Sequence, residues 1–283
     1  MSQQPQYSEA VETARSYYNS EDADNFYYHV WGGEDIHIGL YESAEEPIAA
    51  ASARTVERIA DRIAAPLSRP DARVIDLGAG YGGAARHLSK RFGCQVMALN
   101  LSEAENQRDR EMNQAAGLDH LIEVVDASFE DVPAPDASFD VAWSQDAILH
   151  SGHRDKVMDE IDRVLKPGGE LIFTDPMQAD DCPEGVLQPI FDRIHLSSLG
   201  SFAFYRAQAK RLGWEEVEIL DMTENLITHY SRVADTLREQ REALKGKVSD
   251  DYVERMLAGL DHWVEGGRNG YLSWGIIHFR KPA

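Results

Sequence analysis

Apolar positions along this chain follow two rhythms. In residues 51–65, Val56, Ile59, Ala60 and Ile63 recur at helical spacing and predict a helix; Pro66 and Pro70 mark the linker after it. From residue 73, short apolar runs alternate with amphipathic stretches. The runs at 73–77, 94–99, 121–125, 139–143 and 170–174 predict strands, and helices are expected near 82–92, 102–116 and 154–165. Ser102 with Glu105 three residues on makes a capping box, and Gly117 fits the stop of that helix. Pro133 and Pro135 belong to a loop, and Lys166-Pro-Gly-Gly169 to a tight turn. Such alternation predicts a parallel sheet with right-handed crossovers.

The rhythm changes after residue 176. Helices are expected near 186–196 and 203–212, a half-wet strand from Trp214 to Leu220, two helices within 231–265, and a last strand from Tyr271 to Phe279. At the other end, residues 1–20 are polar and suit a helix or a mobile arm, while 25–41 are rich in aromatics and histidine around Gly32-Gly33. The expected division is a cap over the active site (1–50), a cofactor-binding core (51–176), last core elements with a helical substrate-side insertion (177–270) and a final strand (271–283).

Charge narrows the range of partners. The 283 residues include 28 basic and 49 acidic side chains, a net charge of −21, and 7 of the 28 basic residues are lysine. That surface repels phosphate backbones and anionic membranes, so neither nucleic acid nor membrane is expected as a partner. It suits a salt-rich cytoplasm, because salt screens the self-repulsion. The N-terminus lacks a charged segment followed by an apolar run, and no stretch is long and apolar enough to span a bilayer. A cytoplasmic protein with reduced thiols is expected, as a monomer or small homo-oligomer. Cys94 reads as a buried small hydrophobe, neither Cys94 nor Cys182 sits in a metal-type cluster, and no metal is expected.

The densest chemical signal is Arg73–Gly83, an apolar strand ending in Asp76 and a glycine-rich turn. Gly78 and Gly80 allow close backbone approach to a ligand. Gly78, Gly80 and Gly83 also satisfy a dinucleotide fingerprint, so the turn alone leaves a nicotinamide enzyme or a purely structural turn open. The other strand ends add weight. They carry Asn100-Leu101-Ser102, Asp126-Ala127-Ser128-Phe129, Ser144-Gln145-Asp146 and Asp175-Pro176-Met177, all expected to rim one crevice. Asn100 weakens the nicotinamide reading, which favours an acid at that position.

Val74–Gly80, Asp126, Phe139–Trp143 and Leu165–Gly169 together resemble the class I S-adenosylmethionine-dependent methyltransferases. The resemblance implies an α/β, doubly wound, seven-stranded, mainly parallel sheet whose last strand is antiparallel, with an N-terminal helical cap and a helical insertion. A closer likeness spans nearly the whole chain. Asp22–Tyr27, Trp31–Tyr41, Ala98–Ser102, Trp143–Asp146, Phe173–Gly185 and Gly270–Gly275 resemble the sarcosine/dimethylglycine N-methyltransferases, which make the osmolyte glycine betaine in halophiles. A methyltransferase of this fold for a larger amine, a sterol or a lipid headgroup such as phosphoethanolamine is the alternative. A non-catalytic cofactor-binding protein is a further one.

The resemblance implies S-adenosylmethionine as cofactor. It would lie against Asp76, Gly78, Ala79 and Gly80, with Asn100, Leu101 and Glu105 at the ribose. Asp126, Ala127 and Phe129 would meet the adenine, Ser144 and Gln145 would lie near the methionine end, and Trp31 would also touch the cofactor. Glu105 either compensates for Asn100 or only caps its helix. An amine attacking a sulfonium methyl needs in-line alignment, water exclusion and a modest base. His150 is the first candidate for that base and His37 the second; a structural role is the alternative for each. Tyr28, Trp31, Tyr205 and Trp274 are candidates for an aromatic wall around a quaternary ammonium. Arg193 and Arg206 are candidates for the substrate carboxylate, with Asp146 and Met177 nearby.

Overall fold

The computed structural model describes residues 9–31 and 33–283, without the side chains of Glu9 and Ala10. Residues 1–8 and Gly32, parts of the arm and the glycine pair singled out above, lie outside the described residues.

The cap begins with α1 (Glu9–Tyr18) and α2 (Glu21–Phe26), followed by a π-helical turn, Tyr27–Trp31. The helix expected over 51–65 starts earlier and ends in a break, giving α3 (Ile48–Arg62) and α4 (Ala64–Leu67). The core then alternates as β1 (Arg73–Leu77), α5 (Gly83–Phe92), β2 (Gln95–Asn100), α6 (Glu103–Ala116), β3 (Ile122–Asp126), β4 (Phe139–Gln145), α7 (Arg154–Val164) and β5 (Leu165–Thr174). Beyond it come β6 (Met177–Gln178), α8 (Gln188–Ile194), α9 (Phe202–Arg211), β7 (Glu215–Asp221), α10 (Thr223–Leu244), α11 (Asp250–Arg268), β8 (Leu272–Ser273) and β9 (Gly275–Arg280).

The main sheet has seven strands in the order β3-β2-β1-β4-β5-β9-β7. β1 to β5 pair in parallel, and β9 runs antiparallel between β5 and β7. The antiparallel last strand is the one that the resemblance implies. The turn at Lys166–Gly169 is absorbed into β5, whose pairing jumps from Leu165 to Glu170 around Gly168 at φ +75°. The strand expected from Tyr271 is split by Trp274, so that β8 pairs with β6 in a separate small sheet.

Two apolar layers flank the sheet, and a third core forms where the cap meets the later helices. Phe26, Trp31, Ile38 and Tyr81 pack there with Leu226, Val233, Leu237, Leu260 and Trp263. Val233 and Leu237 are fully buried, each contributing roughly 1.5–3 kcal/mol of transfer free energy. Charge pins the cap as well. Arg86 on α5 is buried between Glu34 of the cap and Asp109 of α6, at 2.8 and 2.9 Å. Cap and helices thereby close over the carboxyl ends of β1, β2 and β4.

Candidate active site

The glycine turn is held tightly. The amides of Gly78 and Ala79 both donate to the Leu99 carbonyl, at 2.8 and 3.1 Å. Gly78 has φ +80°, and a Cβ there would stand 2.3 Å from that of Ala147, so only glycine fits. Ser144 donates to the Leu77 carbonyl at 2.7 Å, and Phe129 is buried beside Gly78. Leu101 and Ala127 are half-buried, and the Ala127 amide donates to the Asn100 carbonyl at 3.2 Å.

At the end of β2, the Asn100 amide donates to Glu105 Oε2 at 2.8 Å. Ser102 caps the Glu105 amide at 3.2 Å, but the Glu105 side chain turns to Asn100 instead of back to Ser102. The expected capping box is therefore half made. Glu105 Oε1 is buried without a partner, and burial pushes the carboxyl up to about 7. Asp76 behaves alike. Its Oδ2 is buried and unpartnered, and burial followed by the nearby Asp109 pushes it up to about 8. Gln145 accepts from Trp143 Nε1 at 3.1 Å, which leaves its Nε2 buried and unpartnered. Unsatisfied polar atoms at the ends of β1 and β4 and in the first turn of α6 fit a ligand bearing hydroxyl and ammonium groups. Asp126 is half-exposed and already held by Asn106 and Arg110.

Asp146, at φ +53°, clamps two distant segments. Its carboxylate accepts from the Ile38 amide at 2.6 Å and from Trp274 Nε1 at 2.8 Å. Met177 is fully buried and pairs with Ser273. Trp31 is buried, donates to the His37 carbonyl at 3.3 Å and packs on His229. His37 is buried with Nε2 3.7 Å from Asp35; burial pulls its pKa down, but Asp35 and Asp146 outweigh that and raise it.

His150 lies at the end of a 3-10 turn, Ile148–His150, that the Asp175 carboxylate holds through the Leu149 amide at 2.9 Å. Its Nε2 is 2.8 Å from the hydroxyl of Tyr18. Burial, with help from Arg193, pushes His150 down to about 4, so the imidazole is neutral at ordinary pH. Tyr18 stands beside Tyr27, whose hydroxyl lies 3.4 Å from that of Tyr17; the Tyr17 and Tyr252 hydroxyls are 2.8 Å apart. Arg193 is half-buried against Met256 Sδ at 2.8 Å, with no acidic partner among the described residues. Gly259 makes room for it, since a Cβ there would lie 2.4 Å from Arg193 Nε.

Three expected residues belong elsewhere. Tyr28 is 41% exposed with Arg108 over its ring at 4.6 Å, because the π-helical turn rotates it outward. Arg206 lies on the surface, drawn to Glu216 at 3.0 Å by the nearest acid on β7. Tyr205 is fully buried, and its hydroxyl is spent on Asp175 at 2.6 Å. Tyr17, Tyr18, Tyr27, Tyr230 and Tyr252 cluster near His150 and Trp31 instead, and none of them was a candidate from the sequence, although Tyr27 ends a stretch that carries the resemblance. The tandem Tyr17-Tyr18 in an otherwise polar arm was the available signal.

The strand order with this glycine turn defines the class I methyltransferase fold. Residues 75–173 match the methyltransferase domain family. The chain is 61% identical to a sarcosine/dimethylglycine N-methyltransferase of Halorhodospira halochloris, over 96% of this chain and 97% of that protein. It is 54% identical to one from Aphanothece halophytica, over 95% and 96%. Among solved structures, a sarcosine dimethylglycine methyltransferase from Galdieria sulphuraria superimposes with TM-score 0.89 at 44% identity, over 94% of this chain and 99% of that one. The chain belongs to the sarcosine/dimethylglycine N-methyltransferase family.

Proposed function

We propose that this chain uses S-adenosylmethionine to methylate sarcosine and N,N-dimethylglycine, yielding glycine betaine. The observation that carries the substrate is Arg193, a half-buried cation without an acidic partner beside neutral His150, in a protein of net charge −21. A guanidinium so placed suits the carboxylate of a small amino acid.

Bound S-adenosylmethionine supplies an electrophilic sulfonium methyl. Asn100 and Glu105 would hold the ribose hydroxyls, Ala127 and Phe129 the adenine, and Asp76 with Gln145 the amino-acid end. Asp126 would contribute at the adenine through the edge not taken by Asn106 and Arg110. Arg193 anchors the substrate carboxylate. Tyr18 donates a hydrogen bond to His150 Nε2 and keeps its proton, which leaves its oxygen lone pairs for the amine. Burial holds the Tyr18 hydroxyl well above its usual range, so it acts as a neutral phenol. Those lone pairs, with the faces of Tyr27 and Tyr252, favour the positive charge that grows on nitrogen. His150, at about 4, thus orients Tyr18 and is not itself a strong base. The cap, tied down by Asp146 and Arg86, excludes water.

Both cysteines are free, which suits the reducing conditions of a cytoplasm; no described helix is long and apolar enough to cross a membrane. The reading is tested by offering glycine, sarcosine, dimethylglycine and phosphoethanolamine separately with labelled S-adenosylmethionine, at low and high salt. Transfer to sarcosine and dimethylglycine is expected. Transfer to phosphoethanolamine alone would discard the assignment of Arg193.

A further inference from the structure

Helix α1 ends at Tyr18, and the residue after it, Asn19, reaches across to the start of α6. Asn19 Oδ1 accepts from Ser102 Oγ at 3.0 Å and from the Ala104 amide at 3.2 Å, while Asn19 Nδ2 donates to Glu103 Oε2 at 2.5 Å. The side-chain amide is thereby oriented. Its oxygen faces two donors and its nitrogen a carboxylate, and a flipped amide would lose all three bonds. The Ala104 amide is among those that open α6 without a partner inside the helix. Ser102 serves the Glu105 amide, and Asn19 serves that of Ala104. The first turn of α6 is thus completed by a residue of the cap.

We infer that Asn19 is a positioning residue for methyl transfer: by fixing the end of α1 on the first turn of α6, it sets the Tyr18 hydroxyl at His150. The inference rests on the reading of Tyr18 given above and extends it to a neighbour whose side chain is spent on α6. Tyr18 and Asn19 are adjacent, so the seat of one places the backbone of the other. Ser102 Oγ also lies 3.3 Å from the Tyr18 carbonyl, and Arg15, earlier on α1, reaches the same Glu103 at 3.1 Å. The phenol meets His150 Nε2 at 2.8 Å from that seat.

The rest of the cap is held by other contacts. On α2, Asp24 accepts from Tyr81 at 2.9 Å and from Arg108 at 2.8 Å. Asp22 accepts from the Ser249 amide at 2.8 Å, and Asn25 donates to the Lys247 carbonyl at 3.0 Å. Loss of the Asn19 side chain therefore leaves α2 docked and loosens the end of α1, where Tyr18 stands. The junction that receives Asn19 directly follows Asn100 and includes Glu105, the two residues proposed for the ribose. One short segment thus fixes both the cofactor side and the phenol of the cap. A shift of about 1 Å in a positioned group costs up to about a hundredfold in rate.

A double-mutant cycle on the whole enzyme tests this. Asn19→Ala is expected to lower kcat about tenfold, inside the range that a small misplacement costs, while KM for sarcosine and Kd for S-adenosylhomocysteine stay within about twofold. In the Tyr18→Phe enzyme the same change is expected to cost nothing further, because the group that Asn19 places is gone. Asn19→Asp keeps both accepted bonds and sets a carboxylate against Glu103, so a smaller fall is expected. Adding Glu103→Gln, which can donate to that carboxylate, is expected to restore kcat; this pair carries the test if Asn19→Ala folds poorly. An equal fractional fall with and without the Tyr18 hydroxyl overturns the inference, since a general loosening of the cap acts alike on both. So does a normal kcat for Asn19→Ala. A Tyr18→Phe enzyme of normal kcat removes the reading of Tyr18 and the inference with it.

Discussion

The hydroxyl of Tyr18 and Nε2 of His150 lie 2.8 Å apart, although 132 residues separate them in the chain. One belongs to the cap and the other to a turn beyond β4, so the pair exists only when the cap is docked. If it orients the phenol toward the amine, Tyr18→Phe lowers kcat roughly a hundredfold, the low end for loss of one preorganised group that stabilises transition-state charge. Affinity for S-adenosylhomocysteine stays unchanged. His150→Asn lowers kcat less, since Tyr18 keeps its hydroxyl. Steady-state kinetics beside binding titrations separate these effects; a Tyr18→Phe enzyme of normal kcat would remove the pair from the mechanism.

The two arginines form a matched test. Arg193→Ala deletes a charge-assisted hydrogen bond worth about 1.5–3 kcal/mol, so KM for sarcosine and dimethylglycine rises roughly tenfold or more. Arg206→Ala, at a surface pair with Glu216, leaves kinetics alone. Equal responses of the two variants would contradict the placement of the substrate carboxylate.

Glu105 separates cofactor from substrate. Glu105→Ala removes the acceptor at the end of β2 and leaves the Asn100 amide unpaired. Cofactor Kd is expected to weaken roughly tenfold, about the cost of one lost hydrogen bond to a charged group, while KM for the amine holds. Glu105→Gln should recover part of the loss. A variant with normal cofactor affinity would return Glu105 to a structural role.

The buried carboxyls give stability a definite pH slope. Asp76 at about 8, Asp175 at about 7 and Glu105 at about 7 are all raised in the folded chain, chiefly by burial. A raised carboxyl stabilises the fold at acid pH and loses that contribution as pH climbs through the folded value. His150 at about 4 and His229 at about 3 are neutral in the fold, so they add a smaller opposing slope near pH 6.5, where the unfolded imidazole is still half protonated, and it fades by about pH 7.5. Between pH 6.5 and 8 the cofactor-free protein therefore loses stability, about 1–2 kcal/mol from Asp76 alone. Urea unfolding at fixed salt should show the decline, and Asp76→Asn should flatten it. A stability that rises over this window would contradict the assigned burial.

Much of the core was legible because physics writes it locally. Buried parallel strands such as Val74–Leu77 are short continuous apolar runs, and the bend after Asp76 demands glycine. The cap and the substrate side were harder to read. The helix expected from residue 231 begins at Thr223, since its first turns bury Leu226, His229 and Tyr230 in a pattern mixed with polar residues. The break at Trp274 follows from its indole reaching Asp146, a contact that local sequence does not encode. Tyr28 and Arg206 were misplaced for the same reason: Arg108 and Glu216, which claim them, lie on separate elements. Arg193 and Arg206 were read alike, as arginines flanking the helical insertion, and the fold separates them; Tyr18 likewise needed the fold.

The central claim is that one enzyme carries sarcosine through dimethylglycine to betaine. Proton magnetic resonance of a single reaction started from sarcosine and excess S-adenosylmethionine resolves the N-methyl signals of all three. The account predicts that the dimethyl signal rises and then gives way to the trimethyl signal of betaine, with two methyl groups consumed per sarcosine. A sarcosine signal that persists unchanged while the protein binds the cofactor would contradict it.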